Sequence, residues 1–157
     1  MDIKGIENVV RAVIDSLNNK MTLELARKLV KAVEEKAKEI GVKAVVAVSN
    51  EGANPVMVEC MDDSYIASYD IAVNKAYTSV ALKMSTKKLS ILSQPNSELY
   101  GIQFTNEGKI VIFGGGVPLV SNGRIIGGLG VSGGSEEQDT FLADYGEKVF
   151  QEILKTR

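Results

Sequence analysis

The sequence contains no histidine and no tryptophan, a single cysteine and only three prolines. Two of these shortages remove a class of chemistry. Without histidine there is no Ser-His-Asp triad, no imidazole general base and no zinc site with imidazole ligands. The lone Cys60 excludes an internal disulfide and a metal site built from several thiolates of one chain. Net charge is equally sparse: 18 basic and 20 acidic residues leave a formal charge of -2, which gives no basic surplus for nucleic acid or an anionic membrane. No apolar run approaches the roughly 20 residues of a membrane span. The N-terminus MDIKGIENVV also lacks the hydrophobic stretch of a secretory signal, so a cytoplasmic location is expected.

What is present suits one core. A chain of 157 residues with 45% apolar and 24% charged residues reads as a single domain over residues 1–157, with residues 1–20 a peripheral helix. Glycine concentrates in one stretch, residues 110–139, IVIFGGGVPLVSNGRIIGGLGVSGGSEEQD, where nine glycines lie between Gly114 and Gly134. Two β-type runs, residues 117–120 and 124–131, meet across Asn122-Gly123, a strong hairpin signal. A third run, residues 110–113, leads into Gly114-Gly115-Gly116 and is expected to be another strand. Ser135 with Gln138 three residues on has the pattern of a capping box opening a last helix, residues 136–155.

The rest follows from periodicity. Ile6, Val10, Val13 and Leu17 form one helical stripe in residues 2–18, and Leu23, Ala26, Val30, Val33, Ala37 and Ile40 form a second, capped by Thr22 and closed by Gly41. Residues 42–49 read as a strand covered on both faces, and residues 55–61 as its hairpin partner. A helix from Asp62 to about Lys83 follows, with Ile66, Tyr69, Val73, Ala76 and Val80 expected on its inner face. A short helix, residues 86–92, stops before Pro95. The last helix is expected to face inward through Leu142, Tyr145, Val149 and Ile153. One antiparallel sheet flanked by helices buries these stripes most economically.

The candidate sites each have a plain structural alternative. Gly128, Gly130 and Gly133 spell G-x-G-x-x-G, but a dinucleotide site requires a following parallel strand and the 24 residues after Gly133 leave none to place, so close packing of strand on helix is the better account. The Gly133-Gly134 amides stand at a helix N-terminus, where an anion can bind, though Ser135 as N-cap is the preferred occupant. Lys75 and Thr78, one turn apart, can address a carboxylate; a solvated lysine is the alternative. Met57, Met61 and Cys60 read first as core or pocket lining. With no histidine and nothing near Cys60 in sequence to activate it, no acid, base and nucleophile can be named, and a non-catalytic role is expected.

Several blocks taken in order resemble the GlcG/HbpS family of haem-binding proteins, which includes the C-terminal domain of PduO and OrfY-type proteins. These are Thr22-Leu23-Glu24 with Ala26, Glu59 with Met61-Asp62, Ala67-Ser68 with Asp70-Ile71-Ala72, and Lys75-Ala76 with Thr78. Gly115-Gly116-Val117-Pro118-Leu119, Gly130-Val131-Ser132-Gly133 and Glu137-Gln138-Asp139 complete the set. The resemblance implies an α+β, profilin-like fold with a five-stranded antiparallel sheet between helices, homo-oligomers of two or more copies, and a pocket for haem or another tetrapyrrole. Where the family carries histidine after the first hairpin turn this chain has Asn54, and it has Tyr77 and Cys60 where the family has arginine. The ligand-binding residues so implied are Asn54, Met57, Met61, Lys75, Tyr77, Thr78, Gly114, Gly115 and Gly116, with no catalytic residue and no protein-held metal. The expected function is small-molecule binding, accessory to cobalamin-dependent diol or glycerol utilisation. The alternative is a ligand-free assembly subunit that has lost haem ligation.

Overall fold

The computed structural model describes residues 2–156, apart from the side chains of Leu17 and Asn18; the expected place of Leu17 in the first helical stripe therefore lies outside the described residues. The order is α1 (Ile3–Asn18), α2 (Leu23–Glu39), β1 (Val45–Asn50), β2 (Pro55–Cys60), α3 (Ile66–Ala81) and α4 (Thr86–Leu92). After two short 3-10 turns come β3 (Gly116–Ser121), β4 (Arg124–Ser132) and α5 (Glu136–Lys155). No helix among the described residues is long and apolar enough to cross a membrane.

Local sequence chemistry sets most boundaries. The Thr22 hydroxyl accepts the Leu25 N–H at the start of α2, and Gly41 takes φ +73° just past its end. Ser135 and Gln138 form the reciprocal capping box that opens α5. Asn122 and Gly123, both at positive φ, turn β3 into β4.

The sheet among the described residues has four antiparallel strands in the order β2-β1-β4-β3. The expected five-stranded, profilin-like sheet is thereby corrected: residues 110–113 form no strand. Side chains take up the backbone groups of this segment. The Val111 N–H donates to Thr78 Oγ1 at 3.0 Å, the Gly114 N–H to Glu136 Oε1 at 3.1 Å and the Gly116 N–H to Thr86 Oγ1 at 2.8 Å. A segment bonded in this way has no ladder to offer a neighbouring strand.

Helices α2 and α5 cover one face of the sheet through Leu25, Leu29, Val33, Leu142 and Phe150, against Val46, Val48, Leu129 and Val131. Helix α3 covers the other through a thin layer in which Val45 and Ala47 meet Ala72 and Ala76. A Cβ on Gly130 would stand 1.9 Å from the Ala72 carbonyl oxygen, and one on Gly128 would stand 2.5 Å from that of Ala76. Gly128 and Gly130, the first two glycines of the G-x-G-x-x-G string, thus set how close α3 lies to β4, whereas Gly133 lies against the Lys43 backbone.

The closeness of α3 to β4 turns the first half of α3 away from the expected inner face, while Ala76 and Val80 are buried as expected and Val73 is half-buried. The helix presents Ser68, Ala72, Lys75, Ala76 and Ser79 to the sheet and leaves Ile66 96% and Tyr69 50% exposed, because only small groups fit above the glycines. In α5 the buried line likewise runs through Asp139, Leu142, Ala143, Gly146 and Phe150, while Tyr145, Val149 and Ile153 are half-buried. Gly146 lets Leu129 and Val33 seat against that helix.

Candidate functional site

Lys75 is the largest fully buried side chain, and it lies between α3, α5 and the triple glycine. Its ammonium donates to Asp139 Oδ2 at 2.9 Å and to the Val131 carbonyl at 2.8 Å, and it stands 4.9 Å from the centre of the Phe113 ring. The other carboxylate oxygen of Asp139 accepts the Gly134 N–H at 2.9 Å. Gly115, at φ +117°, makes room for the lysine, since a Cβ there would come within 2.6 Å of Nζ.

Burial disfavours charge on both partners. It pulls the Lys75 ammonium below its ordinary range despite the attraction of Asp139, and it pushes the Asp139 carboxyl up despite Lys75 and the Gly134 amide. The two shifts agree in cause: desolvation outweighs the pair's own attraction.

Above this pair lies a cleft of about 240 Å³, lined by Tyr65, Ser68, Ile71 and Phe113 on one side and by Ser132–Gly134, Glu136 and Asp139 on the other. A second cleft of about 280 Å³ shares Tyr65, Gly133 and Gly134 with it and continues past Lys43, Asp63 and Gln138. Together they make a shallow groove over the N-terminus of α5 with an aromatic rim, where Tyr65 is 72% and Phe113 40% exposed. Its charges are already paired, Lys43 with Asp63 at 3.3 Å and Lys87 with Glu136 at 3.1 Å. The Gly114 amide and Lys87 hold the Glu136 carboxyl below the usual range.

The residues singled out from sequence fall in three places. Lys75, Thr78 and Gly114, Gly115 and Gly116 come together on the α3 side of the sheet. The triple glycine is buried, and the amides of Gly114 and Gly116 are bonded to Glu136 and Thr86. Thr78 donates to the Asn74 carbonyl and accepts from Val111, fastening the loop before the glycines. Tyr77, half-buried on the same helix, accepts a hydrogen bond from Asn106. Met57 and Met61 pack against the core on the opposite, α2–α5 face, with the sheet between them and Lys75. Exposed Asn54 lies in a third cleft, at the β1–β2 turn with Lys20, Met21 and Ile126. Cys60 is exposed at the end of β2.

Residues that sequence reasoning did not assign to the site are Asp139, Glu136, Tyr65, Ser68, Phe113 and Ser132. A signal for Asp139 was available: it stands three residues before Leu142, one step back along the buried line of α5.

Among the described residues no group of three His, Cys, Asp or Glu is placed to hold a metal ion. The groove suits a flat apolar ring by its aromatic rim, and Lys43 on its wall, with Lys87 held beside it by Glu136, suits edge carboxylates. It offers no imidazole to an iron atom; the phenol of Tyr65 is the iron-ligand type on its wall.

Residues 21–147 match the family model described as "Haem degrading protein HbpS-like". A 15.0 kDa protein of the dhaT-dhaS intergenic region of Citrobacter freundii is 46% identical over 133 residues, 85% of this chain and 94% of that protein. The corrinoid adenosyltransferase PduO of Salmonella typhimurium is 41% identical over 115 residues, 73% of this chain, and the matched part is 34% of PduO. Among solved structures, the Klebsiella pneumoniae protein ORFY superposes with a TM-score of 0.81 at 42% identity, covering 83% of this chain and 90% of ORFY. A complex of PduOC with haem superposes with a TM-score of 0.79 at 36% identity, covering 82% of this chain and 94% of PduOC.

Proposed function

The chain belongs to the HbpS-like family, and from that premise we propose that it is a single-domain homo-oligomeric protein that binds haem or a related tetrapyrrole without transforming it. The observation that carries this reading is the groove itself: aromatic side chains at the rim, Lys43 on its wall, Lys87 paired to its Glu136, and a floor where, among the described residues, Asp139 is already paired with Lys75. The likeness to PduOC, whose structure holds haem, supports it.

In this reading Tyr65, Ile71 and Phe113 lie against the ring, and Lys43 and Lys87 exchange their carboxylate partners for those of the ligand. Lys75, held by Asp139 beneath the glycines, fixes the shape of the floor, with Thr78 and Gly114, Gly115 and Gly116 as its frame. The groove is shallow and Tyr65 on its rim is 72% exposed, so in this reading a second copy covers the outer ring face.

Absorption spectroscopy tests the proposal. Haemin titrated into the protein is expected to shift its Soret band and saturate, and Phe113→Ala with Tyr65→Ala is expected to weaken binding at least tenfold. No shift and no saturation would remove haem.

A second reading is favoured by two facts, the absence of histidine and a lysine already paired with Asp139. On it the protein is a ligand-free accessory subunit for cobalamin-dependent diol or glycerol utilisation. A stable oligomer that binds neither haemin nor a corrinoid would select this reading over the first.

A further inference from the structure

Helix α1 has an aliphatic face that its own chain leaves uncovered. Ile3, Ile6, Val9, Val10, Val13 and Ile14 are between 49% and 77% exposed, and α1 forms no packed layer with another element among the described residues. It also precedes the segment shared with the family, which starts at Met21. An isolated helix of 16 residues is marginal in water, so its order calls for a partner along that face.

The residues on the page decide among partners. A helix that lies on an anionic membrane carries a basic polar face and aromatic residues at the apolar edge. Helix α1 has neither: Lys4 and Arg11 are matched by Glu7 and Asp15, and the helix contains no aromatic residue. A two-helix coiled coil needs a narrow seam sustained over three or four heptads. Here the stripe lasts little more than two heptads and is about 140° wide at 100° per residue, because Val9 and Ile14 flank the 3-4-3 line of Ile3, Ile6, Val10 and Val13. β-Branched residues at both core positions of the heptad favour three or four helices over two. Every residue of the stripe is aliphatic, so identical faces suffice to cover one another.

We propose that α1 is a self-association helix, and that the α1 helices of three or more copies of this chain pack stripe to stripe into a short bundle. The homo-oligomer of the proposed function would raise the local concentration of α1 and so offset its short length; this step rests on that oligomer and not on its ligand. The proposal does not depend on the ligand reading above.

The test compares the full chain with residues 20–157 and with the double variant Val10→Glu, Val13→Glu by light scattering and sedimentation over a concentration series. Both altered proteins are expected to lose at least half the assembly mass or to dissociate at tenfold higher concentration, with unchanged circular dichroism of the body. In a Cys60→Ser background, Val10→Cys is expected to form disulfides between copies under mild oxidation, whereas Asn8→Cys, on the polar side, is not. Equal assembly mass for all three proteins, or equal cross-linking at both positions, would overturn the proposal. So would binding of the full chain to anionic phosphatidylserine vesicles through α1 without any change in assembly.

Discussion

Lys75 and Asp139, 64 residues apart in sequence, meet at 2.9 Å in the interior, with the lysine fully buried and the carboxylate nearly so. A buried pair of this kind contributes little net stability, because desolvating two charges offsets their attraction, yet removal of one partner strands the other. Lys75→Met alone is therefore expected to destabilise the fold by about 3 to 5 kcal/mol. Lys75→Met with Asp139→Leu should recover most of that loss. Urea denaturation of both variants measures the difference, and a double variant no more stable than the single would refute the account.

The same burial sets a pH dependence with opposite origins at its two ends. Asp139 has a raised folded value, so its contribution is full below about 3.9 and is lost as pH climbs through that raised value. Lys75 has a lowered one, so its contribution is present above about 10.4 and is lost as pH falls through that lowered value. The double variant should show a flatter profile of stability against pH at both ends. Denaturation curves from pH 4 to pH 10 with the same slope in both proteins would contradict this.

Gly130→Ala probes the tightest of the glycine positions. The new Cβ would meet the backbone oxygen of Ala72 at 1.9 Å, and backbone cannot swing aside as a side chain does. A loss of about 3 kcal/mol or more is expected, at the upper end of overpacking costs. Gly123→Ala, in open space at φ +74°, should cost less, about 1 kcal/mol from backbone strain alone. Thermal melts of the two variants give the comparison directly.

Glu34 on α2 faces Glu59 on β2, and burial followed by the neighbouring carboxylate pushes the Glu34 carboxyl up. Glu59→Gln removes the like charge and should return Glu34 toward its ordinary value, which carbon NMR of the side-chain carboxyl reads out. Repulsion relieved at such a half-exposed position is expected to stabilise the protein at neutral pH by a few tenths of a kcal/mol.

Legibility in the sequence followed the range of the forces involved. Caps and turns are local, and Thr22, Ser135 with Gln138, and Asn122-Gly123 act in the structure as their chemistry implies. Inner faces are a tertiary matter. The apolar stripe through Ile66 and Tyr69 points outward because Gly128 and Gly130, more than 55 residues later, admit only small groups beneath α3, a constraint that periodicity within α3 cannot carry. Lys75 is legible in the sequence as a group that can address a carboxylate, but Asp139, the carboxylate it meets within the chain, lies 64 residues away on another helix. Met57 and Met61 share the family-implied ligand set with Lys75, and strand alternation places them across the sheet from it.

The missing fifth strand has a testable cause of the same kind. Thr78 Oγ1 accepts the Val111 N–H at 3.0 Å while donating to the Asn74 carbonyl at 2.7 Å, so one hydroxyl both satisfies the loop and ties it to α3. Thr78→Val keeps the shape and deletes the acceptor, leaving a part-buried N–H unpaired at a cost of about 1 to 3 kcal/mol. Faster amide exchange is expected at Val111 and at its neighbours through Gly114. Exchange in β4 should hold steady, because its ladder to β1 does not involve Thr78. If Val111 instead stayed as protected as in the parent protein, the segment would owe its conformation to the glycines alone, and the hydroxyl would be incidental to the loss of the strand.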